Sequence, residues 1–353
     1  EHVLPEVNLI VDIVHNELAL KRMHHALTTG SIKGTVGNIQ VESIHYVDLE
    51  TTVKRVENNG TRTVLAAAVL RSAKNVFLAR KALKQDNMVN LKSFVDGLHE
   101  ESVVGFEMAN DELNLAKREC IDRSVLHRLR GAISRGQIRA LNGVANMEAI
   151  IVQDLFEAIS FSQKFLLENR STISLVRASE LLLSIRRSVR DVDYNLLKTS
   201  LRRFENEVEI VPEMYEEILV ARDLYNDYVI LQSLKAALRT GMARGNIGQI
   251  DLACIELEAL DEAITRVSEL QCKTFEAKQW FESAQTVHRI RVALKFMDWN
   301  ALEDIIKNMH FVSVVDEVKP EIHLAQNEIH NRIVILSLKE ALSNGSIRGE
   351  IGS

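Results

Sequence analysis

The residues with the clearest capacity for chemistry are glycines grouped around a base. Gly30-Ser31-Ile32-Lys33-Gly34-Thr35-Val36-Gly37 combines a permissive backbone with an ammonium group, the materials of a phosphate cradle, in which successive N–H groups converge on an anion. Such a cradle follows a strand, opens a helix and carries lysine ahead of Ser or Thr. Here Lys33 precedes Gly34, no Gly-Lys-Ser or Gly-Lys-Thr triplet occurs, and the segment ends a helix-like run. A structural cap is therefore the better reading. The other reactive side chains do not assemble into a signature. His24 and His25 are adjacent, so they point apart on a helix, and His323 and His330 stand seven apart with no carboxylate at i+1. Cys120, Cys254 and Cys272 are an odd number with no CxxC pair, which indicates neither a disulfide framework nor a zinc site. No catalytic, cofactor-binding or metal-binding residue is assigned, no cofactor is expected, and the chain is not read as an enzyme.

The glycine segment is one of four. Gly30, Gly136, Gly241 and Gly345 each follow an apolar helical run ending in Ala-Leu or Ala-Ile, at intervals of 106, 105 and 104 residues, and Gly37, Gly143, Gly248 and Gly352 close the same four tails. A fixed period of this length marks a duplicated unit. The first glycine of each tail sits where a helix ends in a left-handed residue, so all eight are read as structural caps. Ile32, Ile138 and Ile347 are expected to fold back on the last turn. Lys33, Arg139, Arg244 and Arg348 then lie near a negative helix end, and the same four are candidates for binding a partner. The units are placed at residues 1–105, 106–211 and 212–315, with 316–353 beginning a fourth, truncated one, all in one continuous array.

The helices that must position these tails can be read from a second recurrence. Ala82-Leu83, Ser188-Val189 and Ala293-Leu294 each stand 56 residues after the Ala-Leu or Ala-Ile of their own tail. They lead to Asn87, Asp193 and Asp298, which read as N-caps of a further helix, with Met88, Tyr194 and Trp299 in its first turn and Leu91, Leu197 and Leu302 facing the core. Ile44, Ile150 and Ile255 and the pairs Leu49/Val53, Leu155/Ile159 and Leu260/Ile264 are assigned to the core of the helix after each tail. In the third unit this predicts helices at about 250–270, 273–296, 299–312 and 320–343. Pro5, Pro212 and Pro320 mark helix starts. With 3 prolines, 46% apolar and 5% aromatic residues, the expected fold is all-α with an aliphatic core. It is an α-solenoid of stacked helical hairpins, about four helices per 105-residue unit, with spectrin-like three-helix repeats as the alternative.

On the helix before the second tail, Val125-Leu126-His127-Arg128-Leu129-Arg130-Gly131-Ala132-Ile133-Ser134-Arg135 resembles the IQ motif, the light-chain-binding helix of myosins and other calmodulin partners. Arg130-Gly131 and Arg135 are in place and Leu126 stands where that family has Gln. The resemblance covers these 11 residues and implies that Arg130 and Arg135 contact a calmodulin-like light chain. Leu129, Leu234 and Leu338 are expected to be buried. The leading expectation for function is a non-catalytic scaffold mediating protein–protein interaction, a cytoskeletal or spacer segment of a larger protein. The alternatives are a calmodulin-binding helical array and a regulatory arm of a multidomain enzyme. A net charge of −6 with mixed signs gives no support to nucleic-acid binding, and no apolar run is long enough for membrane insertion. The setting is read as cytoplasmic, and the chain as a fragment of a longer array.

Overall fold

The computed structural model describes residues 3–97, 107–141, 144–207, 211–309 and 314–344. Among these residues, thirteen helices follow one order, repeated three times and begun a fourth. A long helix, α1 (Val3–Thr28), leads through a two-stranded hairpin, β1 (Gly34–Thr35) and β2 (Asn38–Ile39), to α2 (Val47–Asn59), α3 (Val64–Lys84) and α4 (Met88–Asp96). The second copy runs α5 (Glu107–Ser134), β3 (Ala140–Leu141), β4 (Val144–Ala145), α6 (Gln153–Ser162), α7 (Arg170–Arg190) and α8 (Tyr194–Glu207). The third runs α9 (Tyr215–Arg239), β5 (Gly245–Asn246), β6 (Gln249–Ile250), α10 (Glu258–Leu270), α11 (Phe275–Lys295) and α12 (Trp299–Lys307), and α13 (Lys319–Asn344) opens the next.

Local chemistry explains the breaks. Thr63 and Thr274 accept the N–H of Ala66 and Ala277 and so cap α3 and α11. Asn87, Asp193 and Asp298 do the same for Asn90, Leu196 and Ala301 at the start of α4, α8 and α12. The residue before each of these caps is left-handed without being glycine: Asp86, Val192 and Met297 have φ of 50°, 56° and 55°. This turn closes the preceding helix as a Schellman motif, with Asn87, Asp193 and Asp298 donating to the carbonyls of Ala82, Ser188 and Ala293. Pro320 is the second residue of α13, Pro5 the third of α1, and Pro212 opens the 3-10 turn before α9.

Two compact units emerge from the packing: Glu1–Gly136, Ile151–Leu183 and Phe204–Glu213 in the first, and Gln137–Ile150, Ser184–Arg203 and Met214–Ser353 in the second. In the first, Met23 and Leu27 of α1, Leu49 and Val53 of α2, Val76 and Leu83 of α3, Leu91 of α4 and Leu113 of α5 share one core. In the second, Ile230 and Leu234 of α9 join Leu260 of α10, Val287 and Leu294 of α11, Leu302 of α12 and Ile322 of α13. Both cores are predominantly aliphatic, as the composition requires.

Four expectations are corrected. The tail is not a plain connection: it folds as an antiparallel hairpin in which Gly34 faces Ile39, Ala140 faces Ala145 and Gly245 faces Ile250. Consequently the third-unit helix expected from 250 begins at Glu258, because the hairpin and a 3-10 turn at Leu252–Cys254 occupy the interval. Ile44, Ile150 and Ile255 are buried as assigned, but they end that 3-10 turn and lie outside the helix that follows. Leu129 and Leu234 are buried as expected, whereas Leu338 is exposed.

Candidate functional site: the buried arginines and the hairpins they hold

Among the described residues, the largest fully buried side chains are charged: Arg80, Arg186 and Arg291. They occupy one position in the three copies, each 50 residues after the first glycine of its tail. An isolated guanidinium in a core would be prohibitive, so its partners decide what it does. Arg80 Nε and Nη2 donate to the two carboxylate oxygens of Glu112 at 2.7 and 3.0 Å. Its remaining N–H groups reach the end of α1, with Nη2 to the Leu27 carbonyl at 2.6 Å and Nη1 to that of Thr29 at 2.7 Å. Arg291 repeats the pattern with Glu321 at 2.8 and 3.0 Å, the Leu238 carbonyl at 2.7 Å and the Thr240 carbonyl at 2.6 Å. Arg186 holds Glu217 at 2.7 and 2.9 Å. A planar fork matched to a carboxylate on one edge and to the carbonyls of a helix end on the other is a task for arginine and not for lysine.

The carboxylate completes the junction by binding the tail. Glu112 accepts the Ile32 N–H at 2.7 Å, Glu217 that of Ile138 at 2.9 Å and Glu321 that of Ala243 at 2.9 Å. One turn pair further along the same long helix, Glu119 takes the Gly37 N–H at 2.6 Å and Glu328 the Gly248 N–H at 2.5 Å. So one ion pair ties a helix end, a hairpin and the next long helix in the first and third copies, and a hairpin and the next long helix in the second.

Gly30, Gly136 and Gly241 turn the chain into this junction with φ of 71°, 61° and 64°. A β-carbon at Gly136 would lie 2.2 Å from Ile151 Cβ, so close approach adds to the conformational demand for glycine. Gly34 and Gly245 adopt φ of 117° and 126° within the hairpins, and Gly37 and Gly248 adopt 77° and 80° at their tips. Gly143, Gly345 and Gly352 lie outside the described residues, as do Ile347 and Arg348.

The remaining partner candidates lie at the surface. Lys33, Arg139 and Arg244 are exposed on the three hairpins, and the work of capping helix ends falls to Arg80 and Arg291 instead. Arg130 is exposed on α5 and Arg135 just beyond its end, Arg130 at 3.4 Å from Glu213 and Arg135 at 3.2 Å from Asp154. The apolar residues of that IQ-like segment, Val125, Leu129, Ala132 and Ile133, are all buried. In the first unit a cleft of about 790 Å³ runs beside the first hairpin, lined by Thr28, Thr35, Asn114 and Lys117 and by the Arg118–Glu168 pair at 2.7 Å. Tyr194 stacks on Tyr228 with centroids 3.9 Å apart, and the Arg332 guanidinium lies 3.4 Å from the Trp299 ring centre, so both aromatics are packed against neighbouring side chains.

The sequence reading passed over the buried arginines and glutamates. Their signal was recurrence at the repeat offset, Arg80, Arg186 and Arg291 at 106 and 105 residues and Glu112, Glu217 and Glu321 at 105 and 104. Among the described residues no group of three or more His, Cys, Asp or Glu is arranged to hold a metal, and no helix is long and apolar enough to cross a membrane. No family model matches the chain, and neither a curated protein nor a solved structure matches it.

Proposed function

We propose that this chain is a non-catalytic helical-repeat scaffold, an α-solenoid segment that presents basic hairpins to a protein partner. The observation that carries the reading is the threefold Arg–Glu junction, which fixes a hairpin with an exposed base at the same place in each copy. The interior charges serve the hairpin's anchorage, while Lys33, Arg139 and Arg244 remain at the surface. Bases on rigidly held hairpins suit an acidic protein surface, because a preorganised charge loses little entropy on contact. Cys120, Cys254 and Cys272 are unpaired, in keeping with a reducing, intracellular setting.

Charge reversal tests the proposal. The variant carrying K33E, R139E and R244E keeps its helical circular dichroism, since none of the three is buried, and loses the partners that the unaltered chain recovers in a quantitative pull-down. An identical set of recovered proteins would overturn the reading. The light-chain alternative is favoured by the exposure of Arg130 and Arg135. It requires α5 to give up the core contacts of Leu129 and Ile133. Retention of the folded chain on calmodulin in a calcium-dependent pull-down would place it ahead of the hairpin reading.

A further inference from the structure

One carboxylate has the repeat position of the junction glutamates but no junction. The offset of 106 residues that relates Ala26 to Ala132 also relates Glu6 to Glu112. Glu112, Glu217 and Glu321 are 6%, 2% and 3% exposed and each holds an arginine, whereas Glu6 is exposed in the first turn of α1. The apolar residues beside it behave in the same way. Val7, Ile10 and Val14 are 49%, 60% and 50% exposed, and their equivalents in α5, Leu113, Ala116 and Cys120, are 4%, 0% and 3% exposed. In the first unit those three residues share a core with Val76 and Leu83 of α3 and Leu91 of α4. In the second, the same face of α13, made by Ile322, Ala325 and Ile329, shares a core with Val287 and Leu294 of α11 and Leu302 of α12. Twice, therefore, this face of the long helix is covered by the third and fourth helices of the preceding copy.

We propose that the N-terminal half of α1 is a docking face for a helix pair of the α3–α4 type, carried by a further repeat joined ahead of it, whose arginine at the place of Arg80 takes Glu6 as its carboxylate partner. The charge selects the occupant. An ordinary amphipathic helix could cover Val7, Ile10 and Val14, but it would desolvate Glu6 with nothing to pair it, a cost that makes such docking unfavourable. A helix bearing arginine in the Arg80 register satisfies both the apolar stripe and the carboxylate. This inference rests on the repeat reading of the chain and is independent of any partner held by the hairpins.

Inserting a copy of residues 1–106 directly ahead of Glu1 tests it, because residue 107 follows residue 106 in the same register in the native chain. In the extended chain, amides along residues 6–14 of the original α1 should exchange at least about tenfold more slowly than in the 353-residue chain. Glu6→Gln at the original position should leave the melting temperature of the 353-residue chain unchanged and lower that of the extended chain by several degrees. Arg80→Met in the added copy should do the same, with the two substitutions together costing little more than either alone. Equal effects of E6Q in both chains would overturn the proposal, as would unaltered exchange in α1 or a lower helical content per residue in the extended chain. Light scattering that finds the 353-residue chain already dimeric, with α1 protected, would assign the face to a second copy instead. Loss of partner recovery on hairpin charge reversal would leave every one of these readings unmoved, so the two proposals fail separately.

Discussion

Arg291 shows how much one residue can hold. Replacing it by Met leaves Glu321 buried without a cation and takes donors from the Leu238 and Thr240 carbonyls. Breaking a buried pair from one side costs about 3–5 kcal/mol, so R291M should lower the urea midpoint of the second unit sharply. Adding E321L removes the orphaned charge and should recover part of the loss, though the Ala243 N–H and the helix end stay unpaired; a double-mutant cycle on urea melts reads the difference. Val192 offers the opposite case. A β-branched side chain at φ of 56° is strained, by roughly 1–2 kcal/mol for a left-handed residue, against about 0.5–1 kcal/mol of extra chain entropy for glycine. V192G should therefore stabilise by about 0.5–1 kcal/mol in the same assay. Cys272 is set by its surroundings: burial first and the Asp227 charge second push its thiol up to about 11. At pH 8.5 that leaves a thiolate fraction more than about a hundredfold below that of free cysteine, partly offset by the greater nucleophilicity of a more basic thiolate. Its reaction with an aromatic disulfide reagent should lag free cysteine by about tenfold and accelerate as pH rises toward 11, which labelling followed by peptide mass spectrometry would show.

At the scale of elements, what could be read from the sequence was what local chemistry decides. Asn87, Asp193 and Asp298 announce helix starts because a short polar side chain satisfies an N–H within three residues, and Gly30, Gly136 and Gly241 announce helix ends because few other residues turn left-handed there. The hairpins were not legible. Strands of two residues are too short to show alternation, and the feature that makes them, Gly34 and Gly245 at φ near 120°, looks in sequence like any other glycine. Arg80 was passed over for a different reason. An arginine four residues before a lysine on an amphipathic helix resembles a solvated base, and only its distant partner, Glu112, makes burial tolerable. The hairpin is in turn held by that pair. Glu112→Gln keeps the shape and one acceptor oxygen but weakens the charged fork, so E112Q should speed amide exchange at Ile32 and Gln40 more than at the centre of α2, a contrast that hydrogen-exchange mass spectrometry resolves.

At the scale of the whole molecule, the sequence period and the closure of the fold are out of phase. Glycine tails mark where the pattern restarts, yet α5 packs on helices of both the first and the second copy. In the first unit, Leu113, Ala116 and Cys120 in the front half of α5 complete the core of α1 to α4, while the rear half of α5 packs on α6. The second unit uses α9 and α13 likewise: Ile230 and Leu234 at the rear of α9 pack with α10 and α11, and Ile322 at the front of α13 closes that core. A cut between residues 211 and 212 separates groups that meet in the folded chain. It leaves Arg186 buried in α7 without Glu217, and Ile138 without the acceptor for its N–H. A fragment of residues 1–211 should lose about 3–5 kcal/mol at that junction relative to one of residues 1–240, which retains all of α9. Urea denaturation of the two fragments, followed by circular dichroism, measures the gap. Equal midpoints would mean that the long helix closes nothing behind it, and that the chain can be divided ahead of α9 without loss.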